Sequence, residues 1–137
     1  MDRMSEEEMK ETFERVLEGL GLAASECREG NGWWRFHYRV SFQGGIHNAD
    51  FRVVATLCEL NSEVDLDALY ADMRAANEAL PPGSLAGFVE EDNYLHVKSR
   101  VPFEGLDEAL LRAQIEECAA LAESSTGRSL RARYRSW

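Results

Sequence analysis

Ten consecutive residues, Trp33 to Phe42, alternate between two kinds of side chain: Trp34, Phe36, Tyr38, Val40 and Phe42 at even positions, Trp33, Arg35, His37, Arg39 and Ser41 at odd ones. Successive side chains of an extended chain point to opposite faces, so this period of two predicts a strand with one face in a core. The other face is cationic and carries a tryptophan. The chain as a whole has a net charge of −10, so such a face calls for a reason or a partner.

The segments around this strand read as one α+β unit. Ser5-Glu6-Glu7-Glu8 has the form of a capping box, with acid at the positive end of a helix dipole, and Met9, Phe13, Val16, Leu17 and Leu20 follow at helical spacing up to a stop at Gly21. Small and polar residues from Leu22 to Gly30 suit a short edge strand. Asn31-Gly32 then supplies the two positive-φ positions of a type I′ turn into the Trp33–Phe42 strand. Gln43 to Asn48, with Gly44-Gly45, reads as a connection. Asp50 to Leu60 is apolar on both faces, which suggests a central strand.

A second helix begins at Ser62 or Asp65, with Leu66, Leu69, Tyr70, Met73, Ala76, Asn77 and Leu80 as its stripe, and ends at Pro81-Pro82-Gly83. Strands Ser84 to Glu90 and Tyr94 to Phe103 are joined across Glu91-Asp92-Asn93. In the second of them Leu95, Val97 and Val101 oppose Tyr94, His96, Lys98 and Arg100. A third helix starts at Gly105 or Asp107, carries Leu110, Leu111, Gln114, Ile115, Cys118, Ala119 and Ala122, and closes at Ser124-Ser125-Thr126-Gly127. The order α-β-β-β-α-β-β-α predicts a mostly antiparallel five-stranded sheet packed against helices. Residues 1 to 127 form the expected domain. Residues 128 to 137 alternate arginine with Leu130, Ala132, Tyr134 and Ser136, the pattern of an added strand or an untethered basic arm, and the arm is expected because terminal segments are often untied.

Length and composition narrow the function. At 137 residues the chain can fold around a single core without disulfides or metals. Cys27, Cys58 and Cys118 are odd in number and far apart, the pattern of free thiols in a reducing compartment. No apolar run approaches the ~20 residues of a membrane span, and the acidic N-terminus has no signal-peptide pattern, so a cytoplasmic protein without membrane partners is expected. Net negative charge opposes indiscriminate nucleic-acid binding by the body.

Glu59-Leu60-Asn61 at a strand-to-helix junction, the helix from 65 to 80, and the run from Gly83 through Tyr94-Leu95-His96-Val97 to Pro102 and the last helix resemble the YbjN-like domain family. That family shares the fold of class I type III secretion chaperones, and the resemblance covers about residues 5 to 125. It implies a homodimer that binds an extended segment of a client protein over its sheet and helix surfaces, in a chaperone-like or regulatory role, with no catalysis and no cofactor. By position it implies a dimer contact at Leu69, Met73 and Leu80. The arginine-rich tail departs from the chaperone pattern.

If the apolar strand sides pack on the helices, the opposite face gathers Trp33, Arg35, His37, Arg39, Arg52, Tyr94, His96, Lys98 and Arg100. Cationic and aromatic groups together pair carboxylates and stack, so this face is the expected partner-binding surface. A nucleic-acid-associated accessory protein using the same face and the tail arginines is the alternative. His37, His47, Asp50 and His96 make no coherent metal-ligand set, and no nucleophile motif or phosphate loop is present, so neither a metal nor an enzyme is expected.

Overall fold

The computed structural model describes residues 5 to 136. The first four residues of the acidic N-terminus and Trp137 of the basic tail lie outside the described residues. Five helices and six strands follow in the order α1 (Glu6–Gly19), α2 (Ala24–Cys27), β1 (Arg28–Gly30), β2 (Trp33–Tyr38), β3 (Val40–His47), β4 (Asp50–Glu59), α3 (Leu66–Glu78), β5 (Ala86–Glu91), β6 (Tyr94–Pro102), α4 (Glu108–Glu123) and α5 (Ser125–Tyr134). The strands form one antiparallel sheet in the order β1-β2-β3-β4-β6-β5. The fold class is the expected α+β, with one strand more than expected.

The extra strand comes from the Trp33–Phe42 stretch, which is a hairpin. Arg39 adopts φ +66°, and the chain folds back so that Tyr38 pairs with Val40, His37 with Ser41 and Phe36 with Phe42. Partners in this register differ by an even number of residues, so each apolar side chain keeps its face. Phe36 and Phe42 stack across the hairpin with centroids 5.1 Å apart. Instead of forming a connection, Gln43 to His47 continue β3, and the turn is Asn48-Ala49, with Asn48 at φ +54°. Trp33 and Trp34 are paired with Gly45 and Gly44, so two indoles lie beside two residues without side chains.

One face of the sheet holds the core. Phe13 of α1 meets Trp34, Phe36 and Phe51 with ring centroids 4.6 to 6.0 Å apart. Leu111, Ile115, Cys118 and Ala119 of α4 are fully buried with Phe51, Val53, Ala55, Leu95 and Val97. Burial pushes the Cys118 thiol up to about 12. Gln114 lies within this core and donates to Phe51 O at 3.2 Å and Ser99 Oγ at 3.1 Å. β4 is central, between β3 and β6, and carries a bulge between Thr56 and Cys58.

The helix ends follow the caps. Ser5 and Glu8 form the capping box of α1, whose C-terminus has Leu22 N–H on Leu17 O with Gly21 at φ +87°. Asp65 and Asp107 cap α3 and α4. Both residues of the Asp92-Asn93 turn have positive φ, as a two-residue hairpin between twisted strands requires.

The tail is neither arm nor strand over most of its length. Ser124 caps a new helix, α5, and Leu130 and Tyr134, four apart, bury one side of it. Asp72 of α3 accepts from the Tyr134 hydroxyl and pairs with Arg133. A Cβ on Gly127 would stand 2.5 Å from Leu121 O, so α5 packs on the end of α4 too closely for any side chain there.

Candidate functional site

The strand registers decide which residues share the outer sheet face. Trp33, Gly45, Arg52 and Arg100 form one row across β2, β3, β4 and β6; Arg35, Gln43, Val54 and Lys98 form the next; Thr56 and His96 pair in the row of His37 and Ser41. Tyr94 pairs with Glu59 at the end of β6. Eight of the nine expected residues therefore lie on this face. Arg39 does not: at the hairpin tip its guanidinium turns to Glu123 of α4, 2.6 Å away on the helical side.

The cations on this face are neutralised from within. Asp50, buried, receives Arg52 at 3.0 Å on one oxygen and Arg100 at 2.9 Å on the other. This bridges two arginines that stand directly opposite on neighbouring strands. Arg35 pairs with Glu29 at 2.9 Å and Lys98 with Glu91 at 2.6 Å. The Lys98 hydrogen bond holds the Glu91 carboxyl below the usual carboxylate range. Burial lowers the pKa of His96, whose Nδ1 lies 3.1 Å from Thr56 Oγ1, and Tyr94 stacks beside it with centroids 6.0 Å apart while donating to Glu59. A cationic face expected from the sequence is thus a mosaic of ion pairs and aromatic rings.

His47 is exposed beside Asn48, and the Asp50 carboxylate is taken by two arginines. Among the described residues no three His, Cys, Asp or Glu side chains come together to hold a metal ion. Trp33 is half-buried over Gly45.

The two edges of the sheet differ, which the sequence did not reveal. At the β5 edge Asn77 of α3 accepts from Phe88 N–H at 2.8 Å and donates to Phe88 O at 3.0 Å, so its amide takes the place of a neighbouring strand. At the opposite edge β1 pairs only with Trp33 and Trp34. From Arg35 to Tyr38 no strand among the described residues lies on the outer side of β2. Such an edge presents main-chain donors and acceptors to another chain.

No protein-family model matches the sequence, and neither does any curated protein. Solved structures match along nearly all of both chains. A chain of the ExsC–ExsE complex superposes with a TM-score of 0.67 at 12% identity, covering 90% of this chain and 94% of that one. A chain of the heterodimeric ExoU–SpcU complex from the type III secretion system of Pseudomonas aeruginosa gives 0.61 at 11% identity, with 88% and 96% covered. YbjN from E. coli gives 0.60 at 14% identity, with 90% and 93% covered. The chain has the YbjN-like, type III secretion chaperone-like fold.

Within this YbjN-like fold the expected dimer contacts need correction. Leu69 is fully buried and Met73 nearly so, both inside the core of a single chain, so neither is free to meet a second copy. Leu80 is half-buried beyond the end of α3. The large apolar side chains that α3 does expose are Leu66 and Tyr70, at 46% and 44%, four residues apart and so on one side of the helix. The buried and exposed stripes adjoin, and the sequence pattern merged them.

Proposed function

We propose that this chain is a non-catalytic protein-binding module, chaperone-like or regulatory, that holds an extended segment of a client protein along the open edge of β2 and the adjoining outer face. The observation that carries this reading is the contrast between the two sheet edges: Asn77 clamps β5 at Phe88, whereas among the described residues no strand pairs with the outer edge of β2 from Arg35 to Tyr38. An added strand gains affinity from main-chain hydrogen bonds and specificity from alternate side chains. Here the alternate positions are Arg35 and His37 on the outer face, both exposed. Two of the similar structures are complexes of two different proteins, which is in keeping with this role.

The module works as a homodimer through the Leu66 and Tyr70 face of α3, in a reducing cytoplasmic setting that suits three free cysteines. Among the described residues no helix is long and apolar enough to cross a membrane. The nucleic-acid alternative loses the sheet-face part of its support, because the outer-face cations are paired with Glu29, Asp50 and Glu91. Tagged protein expressed in its native host is the test. A client should co-purify, and its recovery should fall for the double variant Arg35→Glu, His37→Glu; equal recovery by both proteins overturns the assignment to this edge.

A further inference from the structure

The central strand β4 is itself an edge over a short length. Its register with β3 ends at the Phe42–Ala55 pair. Pairing on that side resumes only at Leu60, which bridges to Arg135 while Ser136 N–H donates to Glu59 O and Asn61 N–H to Tyr134 O. That this is the β3 side follows from alternation: Leu60 N–H itself donates to Asn93 O, next to β6, so Glu59 and Asn61 point the other way. Between the two pairings lie Thr56, Leu57 and Cys58, at the bulge. A cleft of about 340 Å³ opens there, lined by Leu57, Cys58, Glu59, Arg131, Arg135 and Ser136.

α5 sets cations beside this gap. Arg128 and Arg131 lie one turn apart in α5 and Arg135 is its C-cap, and of the three Arg131 and Arg135 line the cleft. All three are exposed, and among the described residues no carboxylate pairs with them, whereas Arg133 is held by Asp72. Arg131 and Arg135 lie close enough to Cys58 to favour its thiolate, against the stronger opposing effect of burial. Unpaired arginines converging on a cleft are out of keeping with a chain of net charge −10, most of whose other cations have carboxylate partners.

We propose that this gap binds an extended acidic polypeptide segment, whose main chain pairs with β4 at Thr56 and Glu59, on either side of the bulge, while its carboxylates engage Arg131 and Arg135. The unpaired strand selects a polypeptide, since a nucleic acid cannot continue a sheet, and the arginines select acidic side chains by planar, charge-assisted hydrogen bonds. The site is separate from the β2 edge and goes beyond the client-binding reading.

The test uses a labelled peptide alternating threonine with glutamate, its glutamine counterpart, and a single-stranded oligonucleotide, each titrated by fluorescence anisotropy, with amide exchange mapped on the peptide complex. The glutamate peptide should bind and slow exchange at Thr56 and Glu59, whose main-chain groups face the gap, and the double variant Arg131→Gln, Arg135→Gln should weaken it by about tenfold or more. That variant keeps Leu130, Tyr134 and the Asp72 contact, so α5 stays docked. Undiminished binding by the variant, equal binding of the glutamine peptide, preference for the oligonucleotide, or slowed exchange at Arg35 to Tyr38 instead would each overturn the proposal. The last of these would leave the β2 reading standing.

Discussion

Trp33 occupies the space that a side chain on Gly45 would need: a Cβ there would stand 2.7 Å from Cδ2 of the indole and 2.4 Å from the carbonyl oxygen of Gly32. Both contacts are far inside van der Waals separation, and one is with backbone. Gly45→Ala should therefore destabilise the fold by about 1–3 kcal/mol, the usual cost of overpacking, read as a lower urea midpoint at unchanged slope. Adding Trp33→Ala should not restore stability, because the Gly32 carbonyl remains in place.

Asp72 ties α5 to α3 through the Tyr134 hydroxyl and the Arg133 guanidinium. The hydrogen bond from Tyr134, then that from Arg133, lowers the Asp72 pKa. Tyr134→Phe should leave the helix packed through its ring but speed amide exchange in α5 relative to α4. Equal exchange in the two helices before and after substitution would show that the tie does not hold α5.

Burial depresses His96 below its ordinary value of 6.5. A depressed pKa means that the unfolded chain binds the proton more readily, so the stability contributed by neutral His96 is complete above about 6.5 and is lost as pH falls through the folded value. Glu14 and Glu91, also depressed, act only below their ordinary value of 4.5. Unfolding followed from pH 7 downward should show a first decline beneath pH 6.5 that His96→Gln removes, and a later carboxylate decline that it leaves intact.

Leu66 and Tyr70 are the exposed apolar pair on α3. If they form a dimer seam, Leu66→Glu with Tyr70→Glu should halve the mass seen by size-exclusion light scattering without changing the circular dichroism spectrum. A wild-type chain that is already monomeric would dispose of the homodimer.

Alternation predicted the core face of β2 and β3 but not the fold-back between them. A hairpin whose partners differ by an even number of residues leaves every side chain on the face that a straight strand would give it. The missing signal lay further along: Trp33-Trp34 and Gly44-Gly45 stand symmetrically about Arg39, bulky against empty. The tail misled for a related reason. Leu130 and Tyr134 satisfy a period of two and are also one helical turn apart, and the cap at Ser124 was the feature that distinguished the two.

The neutralisation of the outer face could not be read from spacing. Asp50 takes Arg100, and Glu29 takes Arg35, only through turns and cross-strand register. The clamp of Asn77 on Phe88 likewise depends on how α3 lies against β5. Residue types and faces were legible; pairings between elements were not.

Strand addition at β2 is tested most directly by amide exchange at Arg35 to Tyr38, measured on the protein alone and in the complex it forms with a co-purified client. The complex should slow exchange at Arg35 and His37, whose N–H groups face the open edge, and leave Phe88, already clamped by Asn77, unchanged. A complex in which Arg35 to Tyr38 exchange as fast as in the free protein, with new protection on other elements, would contradict it.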